Sequence, residues 1–349
     1  MKKVIITGVT GQDGSHMADY LLKTTSNHKI YGAVRRLSVK NHENILHLEN
    51  EPRFQLIDMD LNDAHSMRDV ILDIQPDYFI NFAAQSFVAG SWKYPIQTWD
   101  TDANAVLHIL ESIRRFSPHC RFYNAGSSEE FGDVIYSPQD ELHPLLPQSP
   151  YGAAKCAARH IVRVYKESYG LYAVQGWLFN HEGTRRGLDF VTRKISDAVA
   201  KIKFSIVNNL EIPILELGNL EAKRDWSDAE DFMDGVWLML NQDKPMNYVL
   251  ASGEMHTIRE FVEECFKYAE IKGSWAFKNQ SNKPEDEVYI KDTGEILLQI
   301  NPKFYRPAEV HELCGNPMLA ESQLDWVRKT EFGDLVKKMY QNDERKYFK

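Results

Sequence analysis

Tyr151 and Lys155 stand four residues apart in SPYGAAK, and Ser127 and Glu129 lie upstream of them in AGSSEEFG. A phenol is a poor base at neutral pH because its ordinary pKa is about 10. Residues four apart share one face of a helix, so the Lys155 ammonium would favour the phenolate. Tyr151 could then take the proton of a substrate hydroxyl while hydride leaves the same carbon for a nicotinamide. The Ser127 hydroxyl would polarise the carbonyl so formed. Glu129 would remove the proton from the adjacent carbon, which the oxidation has made acidic. Loss of a neighbouring hydroxyl then gives an unsaturated ketone, which accepts the hydride back where oxygen departed. Glu130, next along the chain, is expected to be solvated.

Such groups need a scaffold that holds a dinucleotide beside them. Gly8, Gly11 and Gly14 in ITGVTGQDG follow the apolar run Val4-Ile5-Ile6 and precede a helical pattern containing Met17, Tyr20, Leu21 and Leu22. In that strand–turn–helix setting glycines let the backbone approach a pyrophosphate at a helix N-terminus. After the second strand the chain reads Ala33-Val34-Arg35-Arg36. The forked donors of Arg35 and Arg36 suit the 2′-phosphate of NADP rather than the free hydroxyl of NAD. Asp60 and Leu61 stand where adenine would be contacted, and Ala83 and Ala84 are small residues where backbone must lie close to the cofactor.

Short apolar runs at 3–7, 30–34, 54–58, 78–84 and 121–124 alternate with helical patterns at 64–74 and 98–116. That alternation predicts a parallel, doubly wound α/β sheet with ligands beyond its C-terminal strand ends. A helix is expected from Tyr151 to Tyr169, closed by Gly170, then a strand at 172–179. Beyond Asn180 the alternation weakens. A helix end and an extended segment are expected within 201–218, a helix at 228–241, and a return to the sheet at 247–251. The polar stretch 272–304 reads as irregular loops. With no linker or repeat, the second, smaller α/β lobe is expected to interleave with the first.

The 349 residues carry 43% hydrophobic and 26% charged residues, an ordinary globular balance. A formal net charge of −9 argues against a general nucleic-acid binder. No run approaches the ~18 apolar residues of a membrane span, and Met1-Lys2-Lys3 leads directly into a strand without a signal-peptide core. Cys120, Cys156, Cys265 and Cys314 are scattered, so reduced thiols, no metal and a cytoplasmic setting are expected.

The blocks ITGVTGQDGSH, NFAAQSFV, SSEEFG, SPYGAAK, LFNHEGTRRG, FVTRKI, LGNLEAKRDW, ASGEMHTIREFVE and YRPAEVHELCGNP resemble the extended short-chain dehydrogenases and, within them, the GDP-mannose 4,6-dehydratase family along nearly the whole chain. The resemblance implies a lyase with a Rossmann-like fold that uses NADP and a GDP-linked sugar. It makes Tyr151 the base at the C4 hydroxyl, Lys155 its helper, Glu129 the base at C5 and Ser127 the partner of the C4 oxygen. It adds Gln12, Asp13, His181 and Arg186 to the cofactor site. It assigns Ser86, Asn180, Thr192, Lys194, Gly218, Arg224, Arg306 and Glu309 to the nucleotide sugar. Residues 1–180 with about 218–253 would hold NADP, and about 181–217 with 254–349 the sugar nucleotide. Arg185 resembles a residue that reaches a neighbouring subunit's cofactor, which implies a homodimer or homotetramer.

Three departures stand out. Ser127 replaces the family's usual Thr, Gly183-Thr184 replace Ser-Pro, and Glu130 sits where a hydrophobic residue is usual. They leave the reaction intact and the sugar open between GDP-mannose and GDP-D-glycero-D-manno-heptose. A nucleotide-sugar epimerase or reductase, needing Tyr151 and Lys155 but not Glu129, is the alternative enzyme. A non-catalytic NADP sensor is the alternative binding module.

Overall fold

Val4 to Thr7 of the first strand, β1 (Lys2–Thr7), are all buried, so both faces of that strand need cover. A computed structural model, which describes residues 1–278, 283–305 and 313–348, supplies that cover with helices on both sides. The chain continues as α1 (Gln12–Thr24), β2 (His28–Val34), β3 (Phe54–Asp58), α2 (Ala64–Ile74), β4 (Tyr78–Asn81), α3 (Val88–Lys93), α4 (Pro95–Trp99), α5 (Ala105–Phe116), β5 (Arg121–Ala125), α6 (Pro150–Tyr169) and β6 (Ala173–Leu178). Next come β7 (Asn180–Glu182), α7 (Val191–Val207), β8 (Leu215–Leu217), β9 (Lys223–Arg224), β10 (Trp226–Asp228), α8 (Ala229–Leu240), β11 (Val249–Leu250) and β12 (His256–Thr257). The last are α9 (Ile258–Tyr268), β13 (Gly273–Phe277), β14 (Glu287–Lys291), β15 (Ile296–Ile300), α10 (Met318–Leu324) and α11 (Phe332–Tyr347).

Seven strands form one sheet in the order β11-β6-β5-β4-β1-β2-β3, and every neighbouring pair is parallel. Side chains alternate between faces along a strand, so Val4 and Ile6 enter a core with Met17 of α1 and Phe232 of α8. Ile5 enters the opposite core with Ile71 of α2, Ile109 of α5 and Ala158 of α6. Strand order reverses between β1 and β4, and such a reversal opens a crevice at the C-terminal strand ends. Both GVTGQDG and AGSSEE leave the sheet on that side.

The long helix expected after residue 150 forms as α6. Ser149 caps it by accepting from Gly152 N at 3.0 Å, Pro150 occupies its first turn, and Gly170 ends it at φ +68°. The single helix expected over 98–116 is interrupted. Between α4 and α5 the residues Asp100–Asn104 make one π-helical turn.

The segment 272–304 is not irregular, contrary to the sequence reading. It contributes β13, β14 and β15, which with β8 form a four-stranded sheet ordered β13-β14-β15-β8. Val288, Leu297 and Leu298 are buried there, in strands of only five residues with charged residues between them. This sheet packs with α7, α9 and α11 around a separate core that includes Ile195, Phe261 and Met339. The lobes interleave: β7 pairs with β10, β9 pairs with β12, and Ala320, Leu324 and Trp326 return to the first core.

Candidate active site

The crevice is a cleft of about 1790 Å³ spanning the glycine loop, the ends of β4 and β5, the start of α6 and the second lobe. Gly8 adopts φ +66°, and a Cβ there would stand 2.8 Å from Ala83 N. A Cβ on Gly14 would stand 2.4 Å from Gly8 O. Only glycine permits that packing. Helix α1 begins at Gln12 with Gly11 as its N-cap and no side-chain cap, so its first N–H groups face the cleft. Arg35, Arg36, Asp60, Leu61, Ala83 and Ala84 line the same cleft, and the two arginines are solvent-exposed.

The Ser127 hydroxyl accepts from Glu129 N at 3.2 Å and opens a 3₁₀ turn, Ser128–Glu130. Tyr151 and Lys155, both buried on α6, line the cleft beside this turn. A Cβ on Gly152 would lie 2.5 Å from Glu129 O, so the glycine of YGAAK is what lets α6 approach. Lys155 Nζ donates to Ala125 O at 3.0 Å and lies 5.7 Å from the centre of the Tyr151 ring. Burial pushes the Tyr151 phenol well above its ordinary pKa, the buried carboxylate of Asp102 adds to that, and the Ser127 hydroxyl opposes it.

On the opposite wall stand Ser86, Asn180, His181, Arg186, Lys194, Gly218 and Arg224. His181 lies with one ring nitrogen 2.7 Å from Phe179 O and the other 3.0 Å from Asp13 Oδ2. Burial alone would lower the imidazole's pKa, but the Asp13 charge overrides it and the net shift is upward. Burial likewise opposes ionisation of Asp13, and His181 and Gln12 outweigh it to leave that carboxyl below its usual range. Gln12 Nε2 also donates to His181 O at 3.0 Å. Arg186 pairs with Glu182 at 3.0 Å, and Arg185 with Asp19 at 2.5 Å. Lys194 Nζ donates to Glu216 O at 2.6 Å and lies over the Phe304 ring. Thr192 is buried off the cleft wall, its hydroxyl donating to Glu182 Oε2 at 2.6 Å. Arg306 and Glu309 lie outside the described residues.

A family model for GDP-mannose 4,6 dehydratase matches residues 5–339. The GDP-mannose 4,6 dehydratase of Drosophila melanogaster is 41% identical over 351 residues, covering 98% of this chain and 86% of the relative. The Homo sapiens protein of that name is 40% identical over 348 residues, covering 97% and 90%. The chain belongs to the GDP-mannose 4,6-dehydratase family. Solved structures share its fold at lower identity. A dTDP-glucose 4,6-dehydratase from Streptomyces venezuelae superposes with TM-score 0.81 at 18% identity, covering 98% of this chain and 97% of that one. A UDP-glucose 4-epimerase from Thermotoga maritima gives 0.80 at 18%, covering 99% and 100%.

Among the buried acids of this dehydratase-family chain that escaped the sequence reading, two bear on the site. Glu130 is not solvated but 0% exposed, ion-paired to Arg159 Nε and accepting from Ser127 N at 2.9 Å. Its partner is 29 residues away, beyond any local pattern. Asp102, in the π-helical turn, is 1% exposed and accepts from Gln85 N at 2.8 Å. Burial raises its carboxyl to about 6 against the pull of Lys155. An aspartate within a helical run gives no signal of such a position.

Proposed function

We propose that this chain dehydrates a GDP-linked manno sugar, GDP-mannose in the first instance, at C4–C6 to the 4-keto-6-deoxy sugar nucleotide with NADP as cofactor. What carries this reading is a carboxylate, Glu129, on the same short turn as Ser127 and facing Tyr151 and Lys155. Family membership and the names of the relatives support the substrate.

The residues present fit a dinucleotide: glycines where a Cβ would meet backbone, open N–H groups at α1, and two exposed arginines after β2. When bound, a nicotinamide supplies reversible hydride storage and, once oxidised, a positive charge beside the phenol. Arg35 and Arg36 favour NADP over NAD through charge-assisted bonds to a 2′-phosphate. Gln12, Asp13, Asp60, Leu61, Ala83 and Ala84 complete that site on the lobe formed by 1–180 and about 218–253, and His181 and Arg186 close it from the start of the other lobe.

Tyr151 takes the proton from the C4 hydroxyl, with the Lys155 ammonium stabilising the phenolate. Ser127 donates to the C4 oxygen. Glu129 removes the C5 proton and protonates the departing C6 hydroxyl, so that water leaves. Lys194, Arg224 and Arg306 meet the diphosphate. Ser86, Asn180, Gly218, Thr192 (through Glu182) and Glu309 shape the remaining nucleotide-sugar site. We further propose a cytoplasmic homo-oligomer in which Arg185 faces a second subunit.

The test is incubation with GDP-mannose and with GDP-D-glycero-D-manno-heptose, followed by mass spectrometry. A product lighter by one water is expected from at least one sugar, and none from either rejects the function. Glu129→Gln separates the epimerase alternative, which retains turnover without that carboxylate. The dehydratase is expected to lose about 10²- to 10⁴-fold in kcat.

A further inference from the structure

We propose that Glu130 is a positioning residue, the terminal acceptor of a hydrogen-bond chain crossing the sheet, whose carboxylate holds Ser127 and Glu129 in place. This inference rests on the dehydratase reading above and goes beyond it, because the reaction assigns Glu130 no part.

The chain is continuous and buried. Thr7 Oγ1 donates to Asn81 Oδ1 at 2.5 Å, Asn81 Nδ2 to Asn124 Oδ1 at 2.7 Å, and Asn124 Nδ2 to Gln175 Oε1 at 2.7 Å. Gln175 Nε2 then donates to Glu130 Oε1 at 3.1 Å. Its links stand on β1, β4, β5 and β6, four neighbouring strands of the sheet. At the far end Thr7 Oγ1 accepts from Ala83 N at 3.1 Å, so the chain reaches from the β4 loop to the catalytic turn.

Its direction is dictated by chemistry. An ionised carboxylate only accepts, so Gln175 must turn its amide NH₂ toward Glu130 and its oxygen toward Asn124. Asn124 must then present NH₂ to Gln175 and oxygen to Asn81, and the same holds at Asn81. Arg159, which only donates, secures the other side of the carboxylate and also donates to Gln175 O at 2.7 Å. Glu130 Oε1 also accepts from Ser127 N at 2.9 Å, which fixes the residue bearing the hydroxyl and the turn bearing Glu129.

A buried ion pair is weak evidence for stability, since its desolvation cost rivals its attraction. Orientation is what this pair supplies. A glutamine at 130 could keep its oxygen toward Ser127 N and Gln175 Nε2, which share Oε1, and turn its NH₂ only toward Arg159, whereas a leucine removes the acceptor for all three donors.

The test compares Glu130→Leu with Arg159→Met, measuring kcat and KM for GDP-mannose and the melting temperature. Glu130→Leu is expected to lower kcat about 10- to 100-fold, the scale of a sub-ångström misplacement, with KM within about twofold. Arg159→Met leaves the Ser127–Glu130 bond, so it is expected to melt lower yet keep a higher kcat than Glu130→Leu. A Glu130→Leu kcat within twofold of wild type overturns the inference, as do losses of kcat that follow melting temperature in both variants. If either variant does not fold, hydrogen exchange of the Ser127 amide in the wild-type protein decides: slow exchange supports the bond, and free exchange overturns it. A wild-type arm that never releases water overturns the dehydratase reading and this inference with it, whereas an active wild type with an indifferent Glu130→Leu overturns the inference alone.

Discussion

Asp102 shows how a single residue can hold stability hostage to pH. Its carboxyl is raised to about 6 in the folded protein, well above the ordinary aspartate range, with burial as the main cause. An acid whose pKa rises on folding binds protons more readily in the folded state. Folding is therefore most stable below the unfolded pKa and loses stability as pH climbs through about 6. Above that point the burial costs roughly 2–3 kcal/mol. Asp102→Asn keeps the acceptor for Gln85 N and removes the charge. It is expected to raise the melting temperature at pH 8, with the gain fading toward pH 4, and thermal melts across that range check it. A variant less stable than wild type at pH 8 would contradict this account. Burial also raises the pKa of nearby Tyr151, and Lys155 directs its ammonium at Ala125 O rather than at the phenol oxygen.

At the scale of elements, α6 and the 3₁₀ turn at 128–130 are set against each other through Gly152. A methyl added there would press on Glu129 O at 2.5 Å and on Pro147 Cβ at 3.1 Å. Backbone atoms yield poorly, so Gly152→Ala is expected to cost about 1–3 kcal/mol and to lower kcat by displacing Glu129. Calorimetry and steady-state kinetics on the same preparation would reveal it, and unchanged values of both would refute the packing argument. The two elements also mark where sequence is legible. The helix is announced by Ser149, Pro150 and Gly170, and the glycine loop by its strand and helix neighbours, because those signals are local. The burial of Glu130 is not announced, since Arg159 and Gln175 meet it only after the sheet has assembled. The β13–β15 sheet reads as loops because its strands are only five residues long, charged residues lie between and beside them, and its partner β8 lies far back in the chain. The π-helical turn carrying Asp102 has no residue pattern of its own.

For the whole molecule, the arginines at the end of β2 bear on the choice of cofactor. Charged hydrogen bonds contribute about 1.5–3 kcal/mol each, so Arg35→Ala with Arg36→Ala is expected to weaken NADP at least about tenfold while leaving NAD nearly unchanged. Fluorescence titration of both dinucleotides measures it, and equal weakening of the two would point away from a 2′-phosphate contact. The parallel sheet follows from the alternation read in the sequence, whereas interleaved lobes are expected there only from the lack of a linker. The seams themselves, β7 with β10 and β9 with β12, are too short to announce themselves.

The return of Trp326 to the first core has a consequence for synthesis on the ribosome. Its indole lies against Phe232, and its Nε1 donates to Asp231 O at 2.9 Å. The face of the sheet presented by Val4 and Ile6 is thus sealed only when almost the whole polypeptide has emerged. Until then a nascent chain would carry uncovered apolar surface, the condition under which chaperones bind and early termination yields aggregates.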